Sequence, residues 1–66
     1  MVLIKTNIKT YRTIKELTQE DLANRVGVRR ETIMRLENAK CNPSLELAVK
    51  ISKELDTTIE ELFYFE

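Results

Sequence analysis

The 66-residue sequence has no histidine and a single cysteine, Cys41. One cysteine cannot form an intrachain disulfide, and a lone thiol is typical of a reducing compartment. Without histidine, the chain lacks the usual ligands of a zinc site and the commonest general base. Its two serines, Ser44 and Ser52, fall at a predicted helix cap and inside a predicted helix. We therefore expect no metal site, no cofactor and no enzymatic activity.

Long apolar runs are also absent. The run at residues 2–4 is far shorter than the roughly 20 residues of a membrane span or the about 7 of a signal-peptide core. We therefore expect a soluble, cytoplasmic protein. Its length allows one domain, residues 1–66, which buries only about 60% of the surface that its unfolded chain exposes. Oligomerisation is the remaining way to bury more surface.

Formal charge is zero overall but uneven along the chain. Residues 1–40 hold nine cations and five anions, a balance of +4, whereas residues 41–66 hold two cations and six anions, a balance of −4. Such asymmetry indicates one face for a polyanion and another that points away from it. The alternative is a neutral surface with scattered charge.

One glycine and one proline leave few breaks, so the sequence predicts mostly helix. Five helices are expected, at about residues 7–17, 18–26, 30–38, 44–55 and from 58 onward, with N-caps at Thr6, Thr18, Ser44 and Thr58. Thr18 with Asp21, and Thr58 with Glu61, have capping-box spacing. Gly27 is expected to end the second helix in a left-handed conformation.

Three of the four aromatic residues lie together near the end of the chain: Phe63, Tyr64 and Phe65. Chain ends are usually polar and frayed, so these rings must be buried against this domain or a partner. Residues 2–4 and 64–65 are candidates for a small terminal sheet. We also expect a dimer interface built from Phe63, Tyr64 and Phe65.

The segment at residues 17–38, LTQEDLANRVGVRRETIMRLEN, has the pattern of two helices joined by a tight turn. Ala23 is small where the two helices cross, and Gly27 makes the turn that sets them at roughly 90–120°. Leu22, Val28, Ile33 and Leu36 are expected to fix the pair to the core. The other side of the second helix is then free to enter a major groove of DNA.

In this segment and beyond it, the sequence resembles the Cro and phage-repressor type helix-turn-helix family, also called the xenobiotic-response-element family. The resemblance includes TQEDLA, VGV, TIMRLEN, NPSLELAVKI and the ending TTIEELF, and is strongest with short stand-alone members such as cytolysin repressors. It implies an all-α, five-helix lambda-repressor-like domain with the helix-turn-helix at about residues 18–38. It also implies a repressor that binds a near-palindromic operator as a homodimer.

The resemblance assigns DNA contacts position by position. Gln19 would touch the backbone and brace the recognition helix, Arg30 and Glu31 would read base edges, and Arg35 lies one turn further along the same face. Arg12 and Glu37 match a pair that joins the first helix to the third, for which a structural role is preferred. The complete predicted DNA-contact set is Thr18, Gln19, Arg29, Arg30, Glu31, Thr32, Arg35, Asn38, Lys40 and Asn42.

Several alternatives stay open at this stage. Glu31 either accepts from a cytosine amino group or only stabilises the helix N-terminus. Cys41 is a partly exposed filler or a redox group, although no resolving thiol is near it in the sequence. Arg29 departs from a position that is often serine in the family, and Ala39 from one that is often glycine.

Two other functions compete with a repressor. One is an antitoxin-like protein-interaction module with an acidic surface, formed by Glu46, Glu54, Glu60 and Glu61, for a basic protein partner. The other is a coating protein that binds nucleic acid with a steep salt dependence and no sequence preference. None of these three functional hypotheses involves a small-molecule substrate.

Overall fold

Five helices lie between two short terminal strands in the computed structural model, which describes all 66 residues. None of the helices has the length and apolar character needed to cross a bilayer. The elements in chain order are β1 (Leu3–Thr6), α1 (Ile8–Ile14), α2 (Gln19–Val26), α3 (Arg30–Glu37), α4 (Leu45–Glu54), α5 (Ile59–Leu62) and β2 (Phe63–Phe65).

Three helices begin at the predicted hydroxyl caps. At α2 the capping box is confirmed: the Thr18 hydroxyl accepts from the Asp21 N–H at 3.0 Å, and the Asp21 carboxylate accepts from the Thr18 N–H at 3.0 Å. The backbone N–H of Thr18 thereby lowers the pKa of the Asp21 carboxyl. Ser44 caps α4 through the Leu47 N–H.

The box predicted at α5 is only half formed. The Thr58 hydroxyl accepts from the Glu61 N–H at 3.1 Å. The Glu61 carboxylate does not return to the Thr58 N–H and instead accepts from the Tyr11 hydroxyl at 3.3 Å. Glu61 therefore joins α5 to α1.

The predicted limits of the first helix are wrong at both ends. Thr6 is not the cap, because its backbone pairs with Phe63 in the sheet. Asn7 takes the N-cap position without a side-chain cap bond, and its amide donates to the Glu61 carbonyl at 2.9 Å. The helix ends at Ile14, and the Leu17 N–H turns back to the Arg12 carbonyl at 3.0 Å.

The first four helices end in the same way, with a residue of positive φ: Glu16 (59°), Gly27 (76°), Ala39 (54°) and Asp56 (53°). After each one, the next N–H bonds to a carbonyl five residues back, as in Lys40 to Arg35 at 2.8 Å. This is the Schellman geometry. Only one of the four positions carries glycine, the residue that adopts this conformation without a steric cost.

The two chain ends pair as an antiparallel sheet, as the sequence predicts. Leu3 pairs with Phe65, Lys5 with Tyr64 and Thr6 with Phe63, with a bulge between Leu3 and Lys5. The fold is therefore mostly helical with a small sheet, a broader description than the all-α class expected.

One core unites the elements. It contains no charged side chain, and its buried apolar residues are Leu3, Ile8, Leu22, Ala23, Val26, Ile33, Leu36, Ala48, Ile51, Leu55, Leu62 and Phe63. Phe63 is only 4% exposed and belongs to this core. The terminal sheet thus closes the core with one aromatic ring and Leu3.

We predict that Ala39→Gly stabilises the protein and that Gly27→Ala destabilises it. A Cβ is disfavoured by about 1–2 kcal/mol in the left-handed region, and glycine raises unfolded-chain freedom by about 0.4–1 kcal/mol. A Cβ at Gly27 would meet no atom within 4 Å, so only the backbone is tested there. The free energy of unfolding in urea should rise and fall, respectively, by about 0.5–1 kcal/mol.

Ala48→Gly is the control for this pair, because Ala48 lies inside α4 and is buried. A glycine inside a helix costs about 0.5–1 kcal/mol, so this variant should lose stability. If Ala39→Gly lost stability as Ala48→Gly does, the left-handed conformation would not be the factor that limits stability at residue 39.

Candidate nucleic-acid interface

Helix α3 has one buried side and one open side. Ile33 and Leu36 are fully buried against the core, whereas Glu31, Met34 and Arg35 are exposed. No ion pair within the chain uses Arg29, Arg30 or Arg35. The open side therefore presents arginine donors that the protein itself leaves unsatisfied.

The turn before α3 lets it cross α2 closely. Ala23 is 1% exposed, and the small side chain keeps the two helices near one another. Gly27 then takes the left-handed conformation, and the Val28 N–H bonds to the Ala23 carbonyl at 3.0 Å. Arg29 is extended and starts α3 without a side-chain cap, so the first N–H groups of α3 have no side-chain acceptor there.

A nearly buried carboxylate, Glu37, ties α3 to the other helices. Its oxygens accept from the Arg12 Nε at 2.7 Å and the Arg12 Nη2 at 3.3 Å. Gln19, the first residue of α2, donates to the same carboxylate at 3.1 Å. The Arg12 and Glu37 side chains are only 12% and 7% exposed, which makes this the most buried ion pair of the molecule.

Arg12 also fixes the connection between the first two helices. Its Nη1 donates to the Leu17 carbonyl at 2.8 Å, immediately before the Thr18 cap. One guanidinium therefore links the end of α1, the start of α2 and the last turn of α3. Gln19 braces α3 as the resemblance implies, because its amide contacts Glu37.

An open cleft lies in front of the α2 N-terminus. Thr18, Gln19 and Arg30 line it together with Arg12 and Thr13. The backbone N–H groups of Gln19 and Glu20 have no acceptor within the chain. Free N–H groups at a helix N-terminus with an arginine beside them suit a phosphate.

Two acidic residues, Glu16 and Glu20, line the same cleft and were not singled out in the sequence. Glu20 lies in the first turn of a helix, where acidic residues are ordinary. The sequence predicts Glu16 inside the first helix, whereas the structure places it after the end of α1. Its positive φ has no sequence signal, because glutamate does not favour that conformation.

The remaining predicted DNA-contact residues differ in exposure and in orientation. Arg29 and Lys40 are exposed, and Thr32 is half-buried. The Asn38 amide donates to the Met34 carbonyl at 3.0 Å, which leaves its side-chain oxygen free. Helical geometry sets Arg30 and Arg35 roughly 140° apart around the axis, so they do not share one face; Arg30 lies at the edge nearest α2.

Asn42 has a structural role that the sequence did not suggest. Its side-chain oxygen accepts from the Leu3 N–H at 2.9 Å, and its amide donates to the Met1 carbonyl at 3.3 Å. Both polar groups of the Asn42 side chain are therefore used within the chain, next to the N-terminal strand.

The aromatic end divides between the core and the surface. Phe63 is buried within the chain, Phe65 is half-buried and Tyr64 is 43% exposed. Only Tyr64 and Phe65 of the predicted interface residues are therefore accessible to a second molecule. Lys5 lies over the Tyr64 ring at 5.6 Å.

The chain belongs to the helix-turn-helix family, in its Cro/C1 type: residues 8–62 match the family model. It is similar to an HTH-type transcriptional regulator of Archaeoglobus fulgidus, at 52% identity over 63 residues that cover 96% of this chain and 89% of that protein. It is also similar to the cryptic phage CTXphi transcriptional repressor RstR of Vibrio cholerae, at 32% identity, covering 91% of this chain and 54% of RstR.

A solved structure shows the same fold. The restriction-modification controller protein C.AhdI from Aeromonas hydrophila superposes with a TM-score of 0.76 at 33% identity, covering 83% of each chain. The chain is accordingly a transcriptional regulator with a DNA-binding helix-turn-helix domain, in a family of regulators rather than enzymes.

We predict that Glu37→Gln destabilises the fold far more than Glu31→Gln, its control on the same helix. Removing one partner of a buried ion pair leaves the other charge uncompensated, at about 3 kcal/mol or more. Glu31 is exposed and only its interaction with the helix N-terminus is lost, about 0.3–1 kcal/mol. Urea unfolding measures both, and equal losses would contradict the role assigned to Glu37.

Proposed function

We propose that this regulator is a sequence-specific repressor that binds a near-palindromic operator as a homodimer, with α3 in the major groove. The observation that carries this proposal is the set of exposed arginines on a helix that is braced from behind by Glu37. Arginine presents two parallel donors that match guanine O6 and N7 and contribute about 1–3 kcal/mol of discrimination per base.

The open side of α3 and the cleft at the α2 N-terminus would contact different parts of the DNA. Arg30, Glu31 and Arg35 lie where base edges would be read, and Arg30 and Arg35 reach different base pairs because they point in different directions around α3. The cleft at the α2 N-terminus would hold a phosphate through the free N–H groups of Gln19 and Glu20. Phosphate contacts fix the register, and base contacts specify the sequence.

An apolar groove beside the terminal sheet supports the homodimer. Its lining includes Pro43, Leu45, Ala48, Ile59 and Phe65, and 76% of the surface of Leu45 is exposed. A two-fold interface requires one patch that is complementary to itself. A second copy placed on this groove by a two-fold axis would cover Leu45 and the other apolar lining residues.

Repression is the proposed direction of control, supported by the similarity to RstR. A small domain seated on an operator excludes other proteins from the same DNA. Three of the four glutamates of the antitoxin-like alternative have a partner within the chain: Glu46 pairs with Lys50 at 3.2 Å, Glu54 with Arg25 at 3.7 Å, and Glu61 accepts from Tyr11. No observation favours that alternative over DNA binding.

Selection from a random-sequence duplex pool at physiological salt tests the proposal. We predict enrichment of a near-palindrome with half-site centres about 34–36 Å apart. Arg30→Ala and Arg35→Ala should each lose preference at a different base, with about 1–3 kcal/mol lost per contact. Lys53→Ala is the control, because Lys53 is an exposed cation on α4 with no ion pair.

Three outcomes would contradict parts of the proposal. Enrichment of a single half-site would argue against the homodimer. Binding without enrichment that disappears as salt rises would identify a coating protein. Transcription of a template carrying the selected sequence should fall when the protein is added, and a rise would show an activator.

A further inference from the structure

Glu16 has an unfavourable backbone conformation, an unfavourable charge for its position and no partner for its carboxylate. It is a non-glycine residue in the left-handed region, with φ at 59°. It lies just after the end of α1, where the helix dipole is negative and an acidic side chain is disfavoured. Its carboxylate makes no hydrogen bond or ion pair within the chain, whereas that of Asp56, another left-handed residue, pairs with Lys15.

Stability therefore gives no reason for a glutamate at this position. Glycine would adopt the backbone conformation without strain, and a neutral side chain would remove the unfavourable charge. Violations of this kind are expected at functional positions, where the local cost is retained for another purpose.

The position of Glu16 indicates that purpose. Glu16 lines the cleft at the α2 N-terminus together with Glu20, and both side chains are exposed. Glu20 lies in the first turn of α2 and has no ion pair. A phosphate bound at this helix N-terminus would therefore lie in a cleft that also contains these two carboxylates.

We propose that Glu16 and Glu20 limit the affinity of this regulator for DNA. Because they line the cleft at the α2 N-terminus and not the open side of α3, they weaken binding to every sequence and speed dissociation, while the choice of sequence depends on α3. This inference rests on the proposed function, since it requires a phosphate in the cleft.

The test measures binding to a duplex of arbitrary sequence and to the selected operator, by fluorescence anisotropy over a range of salt. Glu16→Gln/Glu20→Gln should bind both duplexes about threefold more tightly at 0.1 M salt, as two like charges within roughly 7 Å of a phosphate would allow. The gain should fade at high salt, and the preferred sequence should not change. Dissociation should slow by a similar factor.

Two further variants serve as controls. One separates the effect of the Glu16 charge from that of its backbone strain, and the other separates the effect of charge in the cleft from that of the net charge of the protein. Glu16→Gly should gain DNA affinity and the larger resistance to urea, because it removes both the backbone strain and the charge. Glu16→Gln should gain similar affinity with a smaller rise in stability, because it removes only the charge. Glu60→Gln is the matched control for Glu20, because Glu60 is exposed in the first turn of α5; it should change affinity by less than the double variant.

Unchanged or weaker binding by Glu16→Gln/Glu20→Gln would overturn the inference, since the carboxylates would then be distant from the phosphate or make favourable contacts. An equal gain in Glu60→Gln would also overturn it, by showing an effect of net charge. In either case, loss of preference for the selected operator in Arg30→Ala would still support the proposed function. If Arg30→Ala had no effect, the proposed function itself would fail.

Discussion

The carboxylate of Glu37 accepts hydrogen bonds from two other helices, and the geometry of the interface depends on it. Arg12 reaches it from α1 and Gln19 from the start of α2. Replacing a buried ion pair with well-packed apolar residues is often neutral for stability. Under the proposed function, this network contributes to DNA binding by fixing the orientation of α3 relative to the cleft at the α2 N-terminus.

The helix ends show how a small domain distributes strain. Four helices end in left-handed residues, yet only Gly27 is free of steric cost there. At Asp56 an ion pair with Lys15 accompanies the strained backbone. At Ala39 and Glu16 the structure provides no such partner, and Glu16 lines the cleft at the α2 N-terminus.

Local signals in the sequence predicted much of this fold. The two helices of the motif could be predicted from three signals, each of which acts within one or two helical turns. These are the Thr18–Asp21 capping box, the Gly27 turn and the spacing of Ile33 and Leu36. The pairing of the chain ends followed from their apolar composition. The end of α1 was missed because a glutamate, which carries no turn signal, ends it.

The site was less predictable where contacts are distant in the chain. Asn42 looked like a phosphate ligand, but strand pairing brings the Leu3 N–H to it across 39 residues. Phe63 looked like an interface residue, but the sheet turns its ring into the core. No local pattern predicts which polar side chains tertiary packing will use.

The most direct measurement compares the wild-type protein with Arg12→Leu/Glu37→Leu, in which apolar side chains replace the buried pair. We expect a free energy of unfolding close to that of the wild type, together with at least a tenfold loss of affinity for the selected operator and little change in binding to arbitrary DNA. A variant that folds as stably and binds the operator as tightly as the wild type would contradict the orienting role of the network.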